Sequence, residues 1–247
     1  RSKIQLFGYW KESGDSSKAA ELGLEIGKKF SSLCLNTDSI DIYTNALTMW
    51  QRNADDGEEL VCGFPVQVID SIDAKTCKNI VLLFIAKGQT LANLNDKEGV
   101  TAYENALKIS RMKPLSNHDQ DRSFIFPIFS GMLVFLKNGS IVEPQNEIAY
   151  EQELVANFIL EAKQRGIPIV HYLRALAMEV DFYCLAGQYE RALASHFVLE
   201  DIYSVEEHHA LMIHHYHSDR AAQSFGFCAR CYCHLGNIDE ALKVCHH

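Results

Sequence analysis

Apolar residues recur at three- and four-residue intervals along almost the whole chain, and strict alternation is rare. That is the pattern of amphipathic helices rather than strands. Leu154, Phe158 and Ala162 form one such stripe, and Ala175, Met178 and Phe182 another. The breaks point the same way. Gly14, Gly57, Gly139, Gly187 and Gly236 each follow an apolar run, where a left-handed C-terminal cap costs glycine least. Pro114, Pro127, Pro144 and Pro168 fall close to expected helix boundaries, where a missing N–H does least harm. The spacing predicts an all-α chain of about 10–12 helices with short connections. Only residues 61–68 invite a strand, and Pro65 argues against a central one.

Frequent caps favour stacked antiparallel hairpins over a few long bundle helices, and the hairpins look alike. Trp10 leads to Gly14 and then Lys18-Ala19-Ala20; Leu176 to Leu185 leads to Gly187 and then Arg191-Ala192-Leu193. Phe225 to Tyr232 leads to Gly236 and then Glu240-Ala241-Leu242. Each has an alanine five residues beyond the glycine. The glycine turns the chain, and the small alanine lets the second helix pack closely on the first. Ala102 and Ala106, followed by Ile109 and Pro114, give a fourth, looser match. Gly187 and Gly236 are 49 residues apart. The surplus falls in residues 196–218, which should carry an elongated or additional helix.

These units resemble the tetratricopeptide repeat, a helix–turn–helix of about 34 residues that stacks into an α-solenoid. The resemblance implies one repeat domain over 1–247, with a possible subdivision near 115–125. A second resemblance lies in the order of segments from Gln152 to Leu242: the Gly187 turn, then Tyr216-His217-Ser218-Asp219, then Phe225 through Leu242. Phe126-Pro127 with Gly131 and Leu136 adds a further helix start. This order is similar to the C-terminal helical region of STAND-type signalling ATPases, some of which carry an adenylate or guanylate cyclase domain upstream. It implies architecture and context, and no chemistry within these residues.

Composition adds limits. The chain has 247 residues, 47% of them hydrophobic, and a net charge of −9. Neither nucleic acid nor an anionic membrane is therefore an expected partner. The longest apolar stretches are too short or too interrupted to span a bilayer, and no signal-peptide pattern opens the sequence. Eight scattered cysteines, mostly beside apolar residues, read as free thiols in a reducing, cytoplasmic setting. With Arg rather than Met at its start, the chain reads as a piece of a larger multidomain protein.

No phosphate loop, nucleophile elbow or zinc-protease helix is present, so neither an enzyme nor a cofactor is expected here. The carboxylates Asp55, Asp56, Glu58 and Glu59, and the pair Asp119 and Asp121, lack calcium-loop spacing and read as solvated loops. Histidine is the anomaly, because nine of eleven follow residue 195. His208 and His215 share a helical face, and Cys228 and Cys231 are three apart, so a zinc set is arithmetically available. Against it, structural zinc pairs usually sit on turns, whereas these two cysteines fall at packing positions of a helix. His246 and His247 also read as the start of a purification tag.

In the repeat's register, the partner-facing positions are Arg174, Ala177 and Asp181 in one unit and Gln223, Arg230 and Cys233 in the last. The expected function is a non-catalytic protein-interaction or sensing scaffold that binds a protein, a peptide or neighbouring domains of the same chain. The alternative is a metal- or pH-responsive binding domain built on the C-terminal histidines and cysteines.

Overall fold

The computed structural model describes residues 3–50, 60–116, 124–137, 144–163, 167–216 and 218–245. Gly57, Gly139, the carboxylates between 55 and 59 and at 119 and 121, His217, His246 and His247 lie outside them. Among the described residues the regular elements are helices apart from one two-stranded hairpin. Contacts divide the chain into two units, Arg1–Val142 and Glu143–His247. That boundary is later than the subdivision near 115–125 suggested by the sequence.

The first unit runs α1 (Lys3–Ser13), α2 (Ser16–Ser32), α3 (Asn36–Thr48), β1 (Leu60–Val61), β2 (Phe64–Pro65), α4 (Val66–Ser71), α5 (Ala74–Asn93), α6 (Glu98–Ser110), α7 (Lys113–Ser116) and α8 (Ile125–Lys137). The second runs α9 (Pro144–Ala162), α10 (Ile169–Leu185), α11 (Tyr189–Ile202), α12 (Val205–Tyr216), α13 (Arg220–His234) and α14 (Ile238–Cys245). α12 is the extra helix that the long Gly187-to-Gly236 spacing called for. The antiparallel β pair matches Leu60 with Pro65 and Val61 with Phe64. Its two-residue turn, Cys62-Gly63, has φ of 58° and 80°, as tight hairpins require.

Among the described residues, one backbone turn occurs five times. Gly14, Cys34, Asn95, Gly187 and Gly236 have φ of 76°, 59°, 54°, 73° and 80°. In each case the next residue's N–H bonds back five positions, to the carbonyls of Trp10, Phe30, Leu91, Tyr183 and Tyr232 at 3.2, 2.9, 3.0, 2.8 and 2.8 Å. The left-handed residue reverses the chain while satisfying carbonyls that the helix end would orphan. Five residues beyond each turn, Ala19, Ser39, Val100, Ala192 and Ala241 are all buried. The sequence showed three of these turns through glycine. Cys34 and Asn95 perform the same turn without one, so no glycine signal marks them.

Packing follows one scheme inside each unit. In the first, α2 lies against α1 and α3, and α5 lies against both α2 and α3 as well as α6. In the second, α10 lies against α9 and α11, and α13 lies against both α10 and α11 as well as α14. The first helix of a later pair thus sits on both helices of the pair before. Small residues permit the close approaches. A Cβ on Gly88 or Gly131 would meet the ring of Tyr103, which is itself buried. Ser39 Oγ donates to the Gly27 carbonyl at 2.7 Å, tying α3 to α2. In the second unit the core comprises Val170, Leu173, Leu176, Leu199 and Met212, with a separate cluster around Cys184, Cys228 and Cys231.

Cys34 is exposed and holds a conformation that costs a β-carbon roughly 1–2 kcal/mol. Cys34→Gly is therefore expected to stabilise the first unit by about 0.5–1 kcal/mol, after glycine's greater unfolded-state entropy is subtracted. Urea unfolding followed by circular dichroism measures this, and an unchanged or lowered midpoint would contradict the strain argument.

Candidate functional site

The six partner-facing positions expected from sequence lie on α10 and α13, and the structure treats the two helices differently. α10 begins after Pro168, whose φ of −56° and ψ of 136° set the entry to the helix. Its Ala177 is fully buried, in one cluster with Leu173, Leu176, Leu199, Met212 and Ala221. It therefore presents no surface to a partner, contrary to the sequence assignment. The cluster draws on α11 through Leu199, α12 through Met212 and α13 through Ala221, so neighbouring helices cover this position.

Arg174 and Asp181 sit half-buried on the same helix. The Arg174 guanidinium lies 5.8 Å from the centre of the Tyr216 ring, close enough for a cation–π attraction. Burial, and then the nearby Arg220, draw its pKa down to about 10, against a smaller opposing pull from Asp181. Asp181 lies 3.9 Å from the Arg220 guanidinium. The Tyr216 hydroxyl is hydrogen-bonded to Nδ1 of the buried His171. Burial also pushes the phenol's pKa upward.

α13 is built the other way round. Its carboxylate cap, Asp219, accepts the Ala222 N–H at 2.9 Å. The same side chain accepts the Tyr203 hydroxyl at 2.6 Å and pairs with His209 Nδ1 at 2.7 Å. One nearly buried carboxylate thereby joins the end of α11, the start of α12 and the start of α13. Beyond the cap, Ala221, Ser224, Cys228 and Cys231 face inward. Gln223, Gly226, Arg230 and Cys233 are exposed at spacings that place them along one stripe. A Cβ built on Gly226 meets nothing within 4 Å, so the middle of this stripe is open. Gly226 was missed from sequence because a mid-helix glycine carries no side-chain chemistry to signal it.

No family model and no curated protein matches the chain. The functional reading therefore rests on the residues themselves.

The alternative donor set is not brought together. His208 is buried, and its Nδ1 accepts the Ser204 N–H at 2.9 Å at the start of α12. His215 is exposed and packs edge-on against His171 and His214. Cys228 and Cys231 lie in the separate buried cluster with Cys184. Burial raises the Cys228 thiol to about 12 and pushes Cys231 upward too, which disfavours the thiolate that a metal needs. Among the described residues, no three potential donors converge. No described helix is long and apolar enough to cross a membrane.

His196 is the group whose protonation the fold resists. It is buried on α11, 4.7 Å edge-on to the ring of Phe225. Desolvation holds its pKa below the ordinary imidazole value, with Glu200 pulling weakly the other way. The unfolded chain therefore binds a proton that the folded unit refuses as pH falls below about 6.5. Its contribution is complete above that pH and declines as the pH drops toward the lowered folded value. His196→Phe should flatten this part of the dependence, measured as the thermal midpoint of the second unit between pH 7.5 and 5. A slope identical to that of the wild type would refute the assignment. Separately, Asp219→Ala is expected to cost about 2–3 kcal/mol, since it removes a helix cap and leaves two side-chain partners unmatched. Denaturant titration tests this, and a loss below about 0.5 kcal/mol would show that solvent replaces the carboxylate.

Proposed function

We propose that this chain is a non-catalytic protein-interaction scaffold, a helical-repeat module of the tetratricopeptide kind within a larger signalling protein. The observation that carries the reading is the turn repeated at residues 14, 34, 95, 187 and 236. With it goes the packing rule, inside each unit, by which a later helix rests on both members of the preceding pair. Repetition of one hairpin in this way is how helical repeats make an extended binding face. The larger context, a STAND-type ATPase or a nucleotide cyclase, is supported by the order of segments from Gln152 to Leu242. The acidic composition disfavours nucleic acid and anionic lipid.

Within this reading, the stripe of Gln223, Gly226, Arg230 and Cys233 on α13 is the partner-facing surface. Arg230 offers a planar fork for a carboxylate, and the bare backbone at Gly226 admits a bulky side chain from the partner. This favours a protein or peptide ligand over the pH- or metal-responsive alternative, whose donor residues lie apart.

The test exploits the open space at Gly226. Gly226→Trp combined with Arg230→Glu fills the stripe and reverses its charge without touching the core, so the variant should keep its helicity and thermal midpoint. Proteins cross-linked to the wild-type chain in cell extract should include a set that falls at least about tenfold with this variant, the equivalent of 1.4 kcal/mol. An unchanged set would overturn the assignment of this face.

A further inference from the structure

The surface that α13 meets on the hairpin before it occurs a second time in the second unit. Gly187 and Gly236 make the same turn, so residues 49 apart hold corresponding places in α10–α11 and α13–α14. Six described residues of the earlier hairpin pack with α13. Leu173 and Ala177 share a buried cluster with Ala221, and Cys184 and Leu193 share one with Cys228 and Cys231. The Tyr189 ring stacks on His234 at 4.6 Å, and His196 lies edge-on to Phe225. Their counterparts are Ala222, Gly226, Cys233, Ile238, Leu242 and Cys245, and all six are exposed. None carries a charge, and Ile238 and Leu242 are each more than half exposed.

A contiguous apolar face left open in this way marks a docking surface, and the filled copy shows what such a face receives. Its occupant is α13, which turns Ala221, Ser224, Cys228 and Cys231 inward. Spacings of three and four keep these residues on one side of the helix, and their short side chains let the backbones approach closely. The open copy differs from the filled one in size. Ala222 stands in the place of Leu173, and Gly226 in the place of Ala177. Space at the missing Cβ of Gly226 is empty to 4 Å. Both differences remove volume where Ala221 is received, so close packing there calls for a larger residue on the incoming helix.

We propose that α13 and α14 together bind an amphipathic helix of a partner protein, seated as α13 is seated on α10 and α11. That helix carries short side chains along its inward stripe and a large apolar one where α13 has Ala221. The proposal rests on the reading of the chain as an interaction module and specifies the partner as a helix lying across both members of the hairpin. Ile238 and Leu242, outside the α13 stripe, thereby join the interface.

Two labelled peptides serve as probes under reducing conditions, residues 219–235 of this chain and the same segment with Ala221→Leu. The receptor is the full chain. Fluorescence anisotropy should show both binding, the leucine peptide about tenfold more tightly because it buries more apolar surface. That preference should vanish when Gly226→Leu fills the space in the receptor. Leu242→Asp, at an exposed position, should leave helicity unchanged and weaken both peptides at least about tenfold. No binding to the folded chain, equal affinities, or indifference to Leu242→Asp overturns the proposal. Self-association of the chain that Leu242→Asp abolishes also overturns it, by making a second copy the occupant. Should the peptides fail while Gly226→Trp with Arg230→Glu still loses its cross-linked set, the helix proposal falls and the module reading stands.

Discussion

The backbone N–H that reaches back five residues across a left-handed position is the interaction on which the rest of the structure depends. It ends a helix, satisfies a carbonyl that would otherwise be orphaned, and sends the chain back within three residues. Because the reversal is the same each time, the residue five beyond it always arrives against the preceding helix. That is why Ala19, Ser39, Val100, Ala192 and Ala241 are all buried and none has a long side chain. Close helix pairs then present a shared face on which the first helix of a later pair can sit, as α5 sits on α2 and α3, and α13 on α10 and α11.

Function on such a frame depends on which faces stay open, and the two faces of the second unit have opposite fates. α13 keeps a stripe with no side chain at Gly226, while α10 is covered by a helix from the next connection. The covering helix is tied at its start by polar contacts, through His208 to Ser204 and through His209 to Asp219. Asp219 also caps α13, so the same carboxylate that starts one helix helps to hold the cover. The cap of α13 and the tie of α12 therefore share one carboxylate.

Much of the fold was legible in local signals. The helical periodicity gave the all-α class, and the glycines at 14, 187 and 236 marked turns whose φ values are all positive. The additional helix between Ile202 and Arg220 followed from spacing alone. The turns at Cys34 and Asn95 were not legible, because a residue other than glycine enters the left-handed region only when its surroundings hold it there. Arg174 and Asp181 lie half-buried on α10. Ala177 is buried instead, in a cluster with Leu199, Met212 and Ala221, which lie 22 or more positions away in the sequence.

The sequence by itself determined the elements: helices from their apolar period, reversals from glycine, and an acidic surface from composition. These are local properties, decided within a few residues of chain by sterics and hydrogen bonding. Only the tertiary structure decided that Cys228 and Cys231 fall in a buried cluster apart from His208 and His215, that Arg174 lies by Tyr216 and Arg220 by Asp181, and that α12 lies on α10. Those outcomes depend on which surfaces exclude water together, and burial is a property of the packed chain that no short stretch of it carries.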